Sequence, residues 1–170
     1  MCNVWGPGSA AEQELTRLMD TYGSMLHNLC TMMLHDHHRA QDAVQDTFIK
    51  AYKSLDKLPQ VQNEKAWLIR IAMNTCRDVL RSAWLRHTLR SADISQLPEL
   101  PSPEPEDSGI LEEVRALPPK YRQVILLYYW QNMTADEIGQ VLNMNRATVY
   151  RQLDKARQKL KLTMEGWAET

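Results

Sequence analysis

The densest group of chemistry-bearing side chains is "HDHH", residues His35, Asp36, His37 and His38, with His27 and Cys30 close upstream. Imidazole, carboxylate and thiol are all metal ligands, but a metal site needs three or four of them converging on one point. Neighbours along a chain rarely converge. The run is expected to be an exposed polar turn between helices, with no metal bound. Cys2, Cys30 and Cys76 are odd in number and have no metal-like spacing. Cys30 and Cys76, on apolar helix faces, read as small core residues. No nucleophile is paired with a base and no glycine-rich phosphate loop occurs, so neither an active site nor a cofactor is expected.

A different chemistry is better supported. The net charge is only −1, yet the charges are segregated. Residues 65–90 carry six Lys/Arg against one acid, Asp78, and residues 115–162 carry nine against three, Asp136, Glu137 and Asp154. Residues 91–114 between them hold seven acids and no base. Two basic blocks separated by an acidic connector suit phosphate binding, which the total charge conceals.

The second basic block contains "TADEIGQVLNMNRATVYRQLDKARQKL". Thr134 followed three residues later by Glu137 is a capping box at a helix start. Asn143 falls where a left-handed residue must end that helix, and a second helix starts near Arg146 and runs to about Leu162. Ile138, Leu142, Met144, Val149 and Leu153 point inward, and Gly139 marks the closest approach of the pair. That leaves Asn145, Arg146, Ala147, Thr148, Tyr150 and Arg151 exposed at the start of the second helix, where base edges are read, with Lys155 and further bases behind for phosphates. Spacing alone leaves two readings, a DNA-reading helix-turn-helix and a plain helical hairpin with a solvated basic face.

The elements that must position these residues are helical throughout. Apolar residues recur at three and four, no strand-like alternation occurs, glycine is scarce, and the expected fold class is all-α. One helix is expected over residues 11–34, with Leu15, Leu18, Met19, Tyr22, Leu26 and Leu29 on one side. A second spans 39–58 and is stopped by Pro59, with Leu58 pushed out of helical geometry and residues 59–63 forming a loop. A third runs over 64–90. Residues 91–109 hold four of the eight prolines and no base, which marks a linker. It divides the chain into helical domains at residues 10–90 and 110–165. In the second domain "LPPKYRQVILLYYWQN" opens a helix on proline and carries it to Trp130. The N-terminus has no signal-peptide pattern and no apolar run reaches membrane-spanning length, so a cytoplasmic protein is expected.

Taken in order, "QDAVQDTFIKAYKSLDKL", "AWLIRIAMNTCRDVLR" and the helix-turn-helix stretch closely resemble the extracytoplasmic-function sigma factors of bacterial RNA polymerase, over nearly the whole chain. The resemblance implies a sigma-two and a sigma-four domain joined by a variable linker. It implies that Asp42, Gln45, Asp46, Phe48 and Tyr52 dock on the clamp helices of the largest polymerase subunit, with the flap a further contact. Leu58 and the 59–63 loop would form a pocket for a flipped base of the minus-ten box, with Asn74 holding that base and Arg70, Arg77 and Arg81 on the backbone. Arg146 and its neighbours would read the minus-thirty-five box. A cognate anti-sigma factor, often membrane-anchored, is implied as a further partner. Tyr150 stands where the family often has lysine or arginine, and "PQVQNEKAW" lacks the family's usual arginine–glycine start. The competing expectation is a stand-alone helix-turn-helix regulator, which has no reason to carry the first two motifs.

Overall fold

A computed structural model describes residues 8–90 and 109–168. The proposed linker therefore lies outside the described residues except for its last position, Gly109. The described residues hold helices and no strand, as the all-α expectation has it.

Helix α1 (Ala10–Leu34) starts on Ser9, whose hydroxyl accepts from Glu12 N. It ends on His35, a left-handed residue with φ of 56° whose backbone N–H donates to Thr31 O. Asp36 then caps α2 (His37–Lys53) by accepting from Arg39 N. The "HDHH" run is thus a two-residue joint followed by the first turn of a helix. His27 and His37 meet edge to face with centroids 4.6 Å apart.

Two expectations about α2 are corrected. The helix ends at Lys53, five residues before Leu58, because Ser54 leaves helical geometry at φ −119° and ψ 15°. Residues Leu55–Gln60 then form a 3-10 helix that contains Pro59, and Leu58 accepts from Val61 N within it. Proline's fixed φ of about −65° suits a tight 3-10 turn and its missing N–H costs little there. Leu58 is therefore helical rather than extended.

Helix α3 (Glu64–Arg90) is the central element. Leu68, Ile69, Ala72, Met73 and Cys76 are fully buried. They cover more than one stripe because α1 and α2 pack on one side of α3 and the second bundle packs on another. With Leu18, Leu26, Cys30, Met33, Ala40, Ala43 and Ala51 they make the first core. Met19, expected inside, is 48% exposed beside the buried Leu18. Buried Thr47 and Thr75 satisfy their hydroxyls on Ala43 O and Ile71 O, one turn back.

The second bundle begins with α4 (Gly109–Ala116), which the sequence reading did not resolve as a helix. Next comes α5 (Pro119–Ile125), with proline in its first turn. It continues as a π-helical turn through Leu126–Trp130, so the expected helix does reach Trp130. Asn132 turns the chain at φ 52°. Helices α6 (Ala135–Leu142) and α7 (Arg146–Ala168) follow. The backbone of α7 continues six residues past the expected end at Leu162.

The two bundles touch. Lys65 Nζ donates to Gln131 O at 3.3 Å. Arg122 of α5, only 4% exposed, donates from Nη1 to Arg115 O at 2.8 Å and hydrogen-bonds His35 Nε2 across the junction. Among the described residues no carboxylate bonds to this guanidinium, and its Nε is buried without a partner.

Candidate nucleic-acid interface

The helix-turn-helix is built by short-range rules. Thr134 Oγ1 accepts from Glu137 N at 3.2 Å while Glu137 Oε2 accepts from Thr134 N at 2.7 Å, closing the expected capping box. Asn143 takes φ 54° and ψ 52° at the end of α6. Met144 N donates to Gly139 O at 2.9 Å. A Cβ on Gly139 would lie 2.6 Å from Met144 O, a backbone atom, so no larger residue fits without moving the turn. Asn145 then caps α7, its Oδ1 accepting from Thr148 N at 2.8 Å.

With Val149, Leu153 and Ala156 fully buried, α7 faces the bundle with one stripe only. Asn145, Arg146, Ala147, Tyr150, Arg151 and Lys155 are exposed and Thr148 is half-buried. The predicted reading residues therefore share one open surface. They are also held in place. Arg146 Nη1 lies 3.5 Å from Asp136 Oδ2, and its guanidinium sits 5.5 Å from the Tyr150 ring centroid. The Tyr150 hydroxyl and the Asp136 charge push the Arg146 pKa up, so its charge is fixed. Arg151 Nη2 donates to Thr148 Oγ1 at 3.2 Å. Farther along, Arg157 donates to Tyr129 Oη at 2.9 Å and stacks against Tyr128 and Tyr129.

The first bundle presents two further surfaces. On α3, Arg70, Asn74 and Arg81 are exposed and Arg77 is half-buried. Arg77 Nη2 donates to Asn74 Oδ1 at 2.9 Å. One lone pair of the amide oxygen is thereby taken, and among the described residues the NH₂ group has no partner, which leaves its donors for an acceptor on another molecule. Arg81 pairs loosely with Asp78 at 3.8 Å. Leu58 is half-buried on the 3-10 turn leading to this helix. The turn is anchored at its far end: Asn63 Oδ1 caps α3 by accepting from Ala66 N at 3.0 Å, and Glu64 is clamped to α1. Arg17 reaches Glu64 Oε1 at 2.5 Å and Oε2 at 3.2 Å, and Tyr22 Oη donates to Oε2 at 2.9 Å. Arg17 holds the Glu64 and Glu14 carboxyls below their usual range.

On α2, Asp42, Gln45, Asp46 and Tyr52 are exposed along one face. Phe48 is not with them. It is 5% exposed and belongs to the core, which corrects its expected place among the docking residues. The apolar side chain that does stand on that face is Ile49, 52% exposed, which the sequence reading missed. The signal was its i+4 spacing from Gln45 and i+3 from Asp46.

The junction between the bundles shifts several groups. Burial, with Arg122 and Arg115 nearby, pushes the His35 pKa down to about 4. Burial likewise pushes the Arg122 guanidinium down to about 10. Cys30 and Cys76 are both buried as free thiols; contact with Cys30 and burial hold the Cys76 thiol far above its ordinary range. Among the described residues no group of three or more His, Cys, Asp or Glu converges as metal ligands, and no helix is long and apolar enough to cross a membrane.

Comparison with known proteins agrees with this layout. The model for sigma-70 region 2 matches residues 18–86 and that for sigma-70 region 4 matches residues 109–160. The chain is similar to the ECF RNA polymerase sigma factor SigW of Bacillus subtilis, 30% identical over 160 residues that cover 85% of each chain. It is also similar to SigL of Mycobacterium tuberculosis, 26% identical over 171 residues and 97% of each chain. The fold is similar to that of the sigma factor RpoE of Bartonella quintana, solved with the anti-sigma factor NepR. There the TM-score is 0.71 at 21% identity, over 91% of this chain and 96% of that one. CnrH, solved with the cytosolic domain of CnrY, gives a TM-score of 0.67 at 23% identity, over 91% of this chain and 90% of that one. With both sigma-70 regions matched in order, on the two bundles that carry the helix-turn-helix and the basic face of α3, the chain belongs to the extracytoplasmic-function sigma factors of the sigma-70 family.

Proposed function

We infer that this chain binds core RNA polymerase and directs it to a subset of promoters, with a separate surface for each step and no catalysis of its own. Residues 10–90 form the sigma-two domain, which docks on the polymerase clamp helices through Asp42, Gln45, Asp46, Ile49 and Tyr52. An acidic and amide face with apolar anchors suits a protein–protein patch. Leu58 and the turn after it, with Asn74, receive an unstacked base of the minus-ten box while Arg70, Arg77 and Arg81 hold the backbone. Residues 110–165 form the sigma-four domain, which contacts the flap and reads the minus-thirty-five box with Asn145, Arg146, Ala147, Thr148, Tyr150, Arg151 and Lys155. Residues 91–109 link the two. The protein works in the cytoplasm, and a cognate anti-sigma factor holds it inactive; RpoE was solved with such a partner.

The observation that carries the reading is the Arg77 to Asn74 hydrogen bond. It fixes an exposed amide on a basic helix face, which a plain duplex-binding repressor would not need. The test is in vitro transcription by core polymerase with and without the full chain. Promoter-dependent transcripts that need the chain are expected; duplex binding with no effect on initiation would favour the stand-alone regulator. Asp46→Arg is expected to weaken core-polymerase binding with unchanged helical circular dichroism. Undiminished binding would remove α2 from the interface.

A further inference from the structure

Two acids stand in the first turn of α6, and they are used differently. Glu137 is half-buried and closes the capping box on Thr134. Asp136 is exposed, takes no part in the cap, and has Arg146 as its one hydrogen-bond partner among the described residues. Either acid suits the positive end of the helix, and Glu137 already stands there. Asp136 shares the open surface of the reading residues, where a carboxylate repels phosphates and weakens binding to any DNA. Between it and Arg146 lies an open groove of about 440 Å³ over Gly139, lined also by Gln140 and Asn145.

We propose that Asp136 is a positioning residue that makes Arg146 a base reader rather than a phosphate contact. This rests on α7 being the minus-thirty-five helix, as inferred above. The guanidinium is held on two sides. Nη1 lies 3.5 Å from Asp136 Oδ2, Nη2 lies 3.5 Å from Tyr150 Oη, and the group sits 5.5 Å from the Tyr150 ring centroid. A guanidinium has five N–H donors in a rigid fork, so these two bonds leave three for guanine O6 and N7. The side chains of Arg146 and Asp136 are 61% and 64% exposed, so in water the pair is weak and exchanges readily. Beside DNA it decides between two positions of the arginine. If Arg146 swings out to a phosphate, Asp136 is left as an unpaired anion close to the duplex backbone. If Arg146 stays over Tyr150 and meets a guanine edge, it continues to neutralise Asp136. The acid thus penalises the sequence-blind contact and spares the sequence-specific one. Tyr150 acts in the same sense, because a neutral ring brings no second cation to take over the carboxylate and release Arg146.

The experiment uses holoenzyme made from core polymerase and the full chain, on a promoter library randomised across the minus-thirty-five box. The wild type is expected to favour guanine at one position by about thirtyfold, within the scale of a bidentate contact. Asp136→Ala should cut that preference to about fivefold and strengthen binding to a scrambled box about threefold. It should also steepen the salt dependence by about one phosphate contact, as Arg146 moves to the backbone. Asp136→Glu keeps the charge and should restore most of the preference. In an Arg146→Ala background, adding Asp136→Ala should leave base selection unchanged, because the residue it positions is gone. Wild-type selection by Asp136→Ala, an undiminished guanine preference in Arg146→Ala, or an Asp136 effect on selection that persists without Arg146 would each overturn the inference and leave the promoter reading standing. A wild-type holoenzyme with no base preference anywhere in the box would overturn the minus-thirty-five reading as well.

Discussion

Helices α7 and α3 carry the two proposed DNA surfaces, and they are built in opposite ways. In α7 a single stripe, Val149, Leu153 and Ala156, is buried and the remaining face is open. Its reading residues are steadied by one another and by α6, through Arg146 with Asp136 and Tyr150 and Arg151 with Thr148. In α3 the burial wraps around the helix, taking in Leu68, Ile69, Met73 and Cys76, because two bundles press on it. Only a narrow strip is left for DNA, and its key amide is aimed by a single arginine. The reader in α7 is positioned by local construction. The strip on α3 depends on tertiary packing, and should tolerate local change better but long-range change worse.

The largest test of that contrast is Gly139→Val. Its added carbon would meet the Met144 carbonyl 2.6 Å away, so the turn must open. A loss of about 3 kcal/mol in the stability of the second bundle is expected, with minus-thirty-five binding lost and α3 chemistry spared. Calorimetry with separate transitions for the bundles checks it; equal destabilisation of both would show that they fold as one unit. Arg146→Ala comes next, with about 2 kcal/mol of discrimination lost at one base pair of the minus-thirty-five box. Equal loss on scrambled DNA would mark Arg146 as a phosphate contact.

Asn74→Ala should cost about 1–2 kcal/mol in the open complex, with closed-complex affinity nearly intact. Permanganate footprinting of thymines at equal occupancy reads this. Arg77→Ala should give a smaller version of the same defect together with some loss of closed-complex affinity, since it removes both the aim of the amide and a backbone contact; a loss in closed-complex binding alone would show that Arg77 does not aim Asn74.

The contrast also explains what the sequence made legible. The turn at Asn143, the capping box and the glycine at the crossing each depend on residues within a few positions, so the reading head was placed almost residue by residue. The α3 face was found through its polar strip, and Cys76 was read as core, but Ile69 and Met73 on its other sides were not. Periodicity fades when a helix is buried against two partners. Phe48 was placed on the docking face and Ile49 was passed over for a related reason: adjacent apolar residues differ by about 100° around the helix, and only the packing of α1 decides which faces in. The 3-10 turn through Pro59 was missed because proline ends α-helices yet sits comfortably in tighter ones. His35 could not be paired with Arg122 by any local rule, as the contact joins residues of separate bundles.

The smallest expected effect concerns that pair. His35 is pushed down to about 4 in the packed arrangement, against about 6.5 for a free imidazole. A lowered histidine pKa means that the packed form is favoured fully above the free value and loses ground as pH falls from about 6.5 toward 4, because parting the bundles takes up a proton. Arg122 and Arg115 face the ring from the second bundle, and Asp36 follows it on its own segment. Fluorescence transfer between dyes on the two bundles should therefore fall on mild acidification in the wild type and stay flat in His35→Gln, which keeps a neutral acceptor. A parallel fall in both would place the titration elsewhere.

Among the described residues three corners, His35, Asn132 and Asn143, take positive φ without glycine. A glycine at each would relax the folded corner but would also give the unfolded chain more conformations to lose, two effects of about 1 kcal/mol with opposite sign. The chain thus obtains stiff elbows at almost no net thermodynamic cost. With a side chain at each elbow the backbone has fewer torsional settings than glycine would allow, so the helices on either side are held more closely to one angle, and more of the adaptation to polymerase or promoter is left to the junction between bundles.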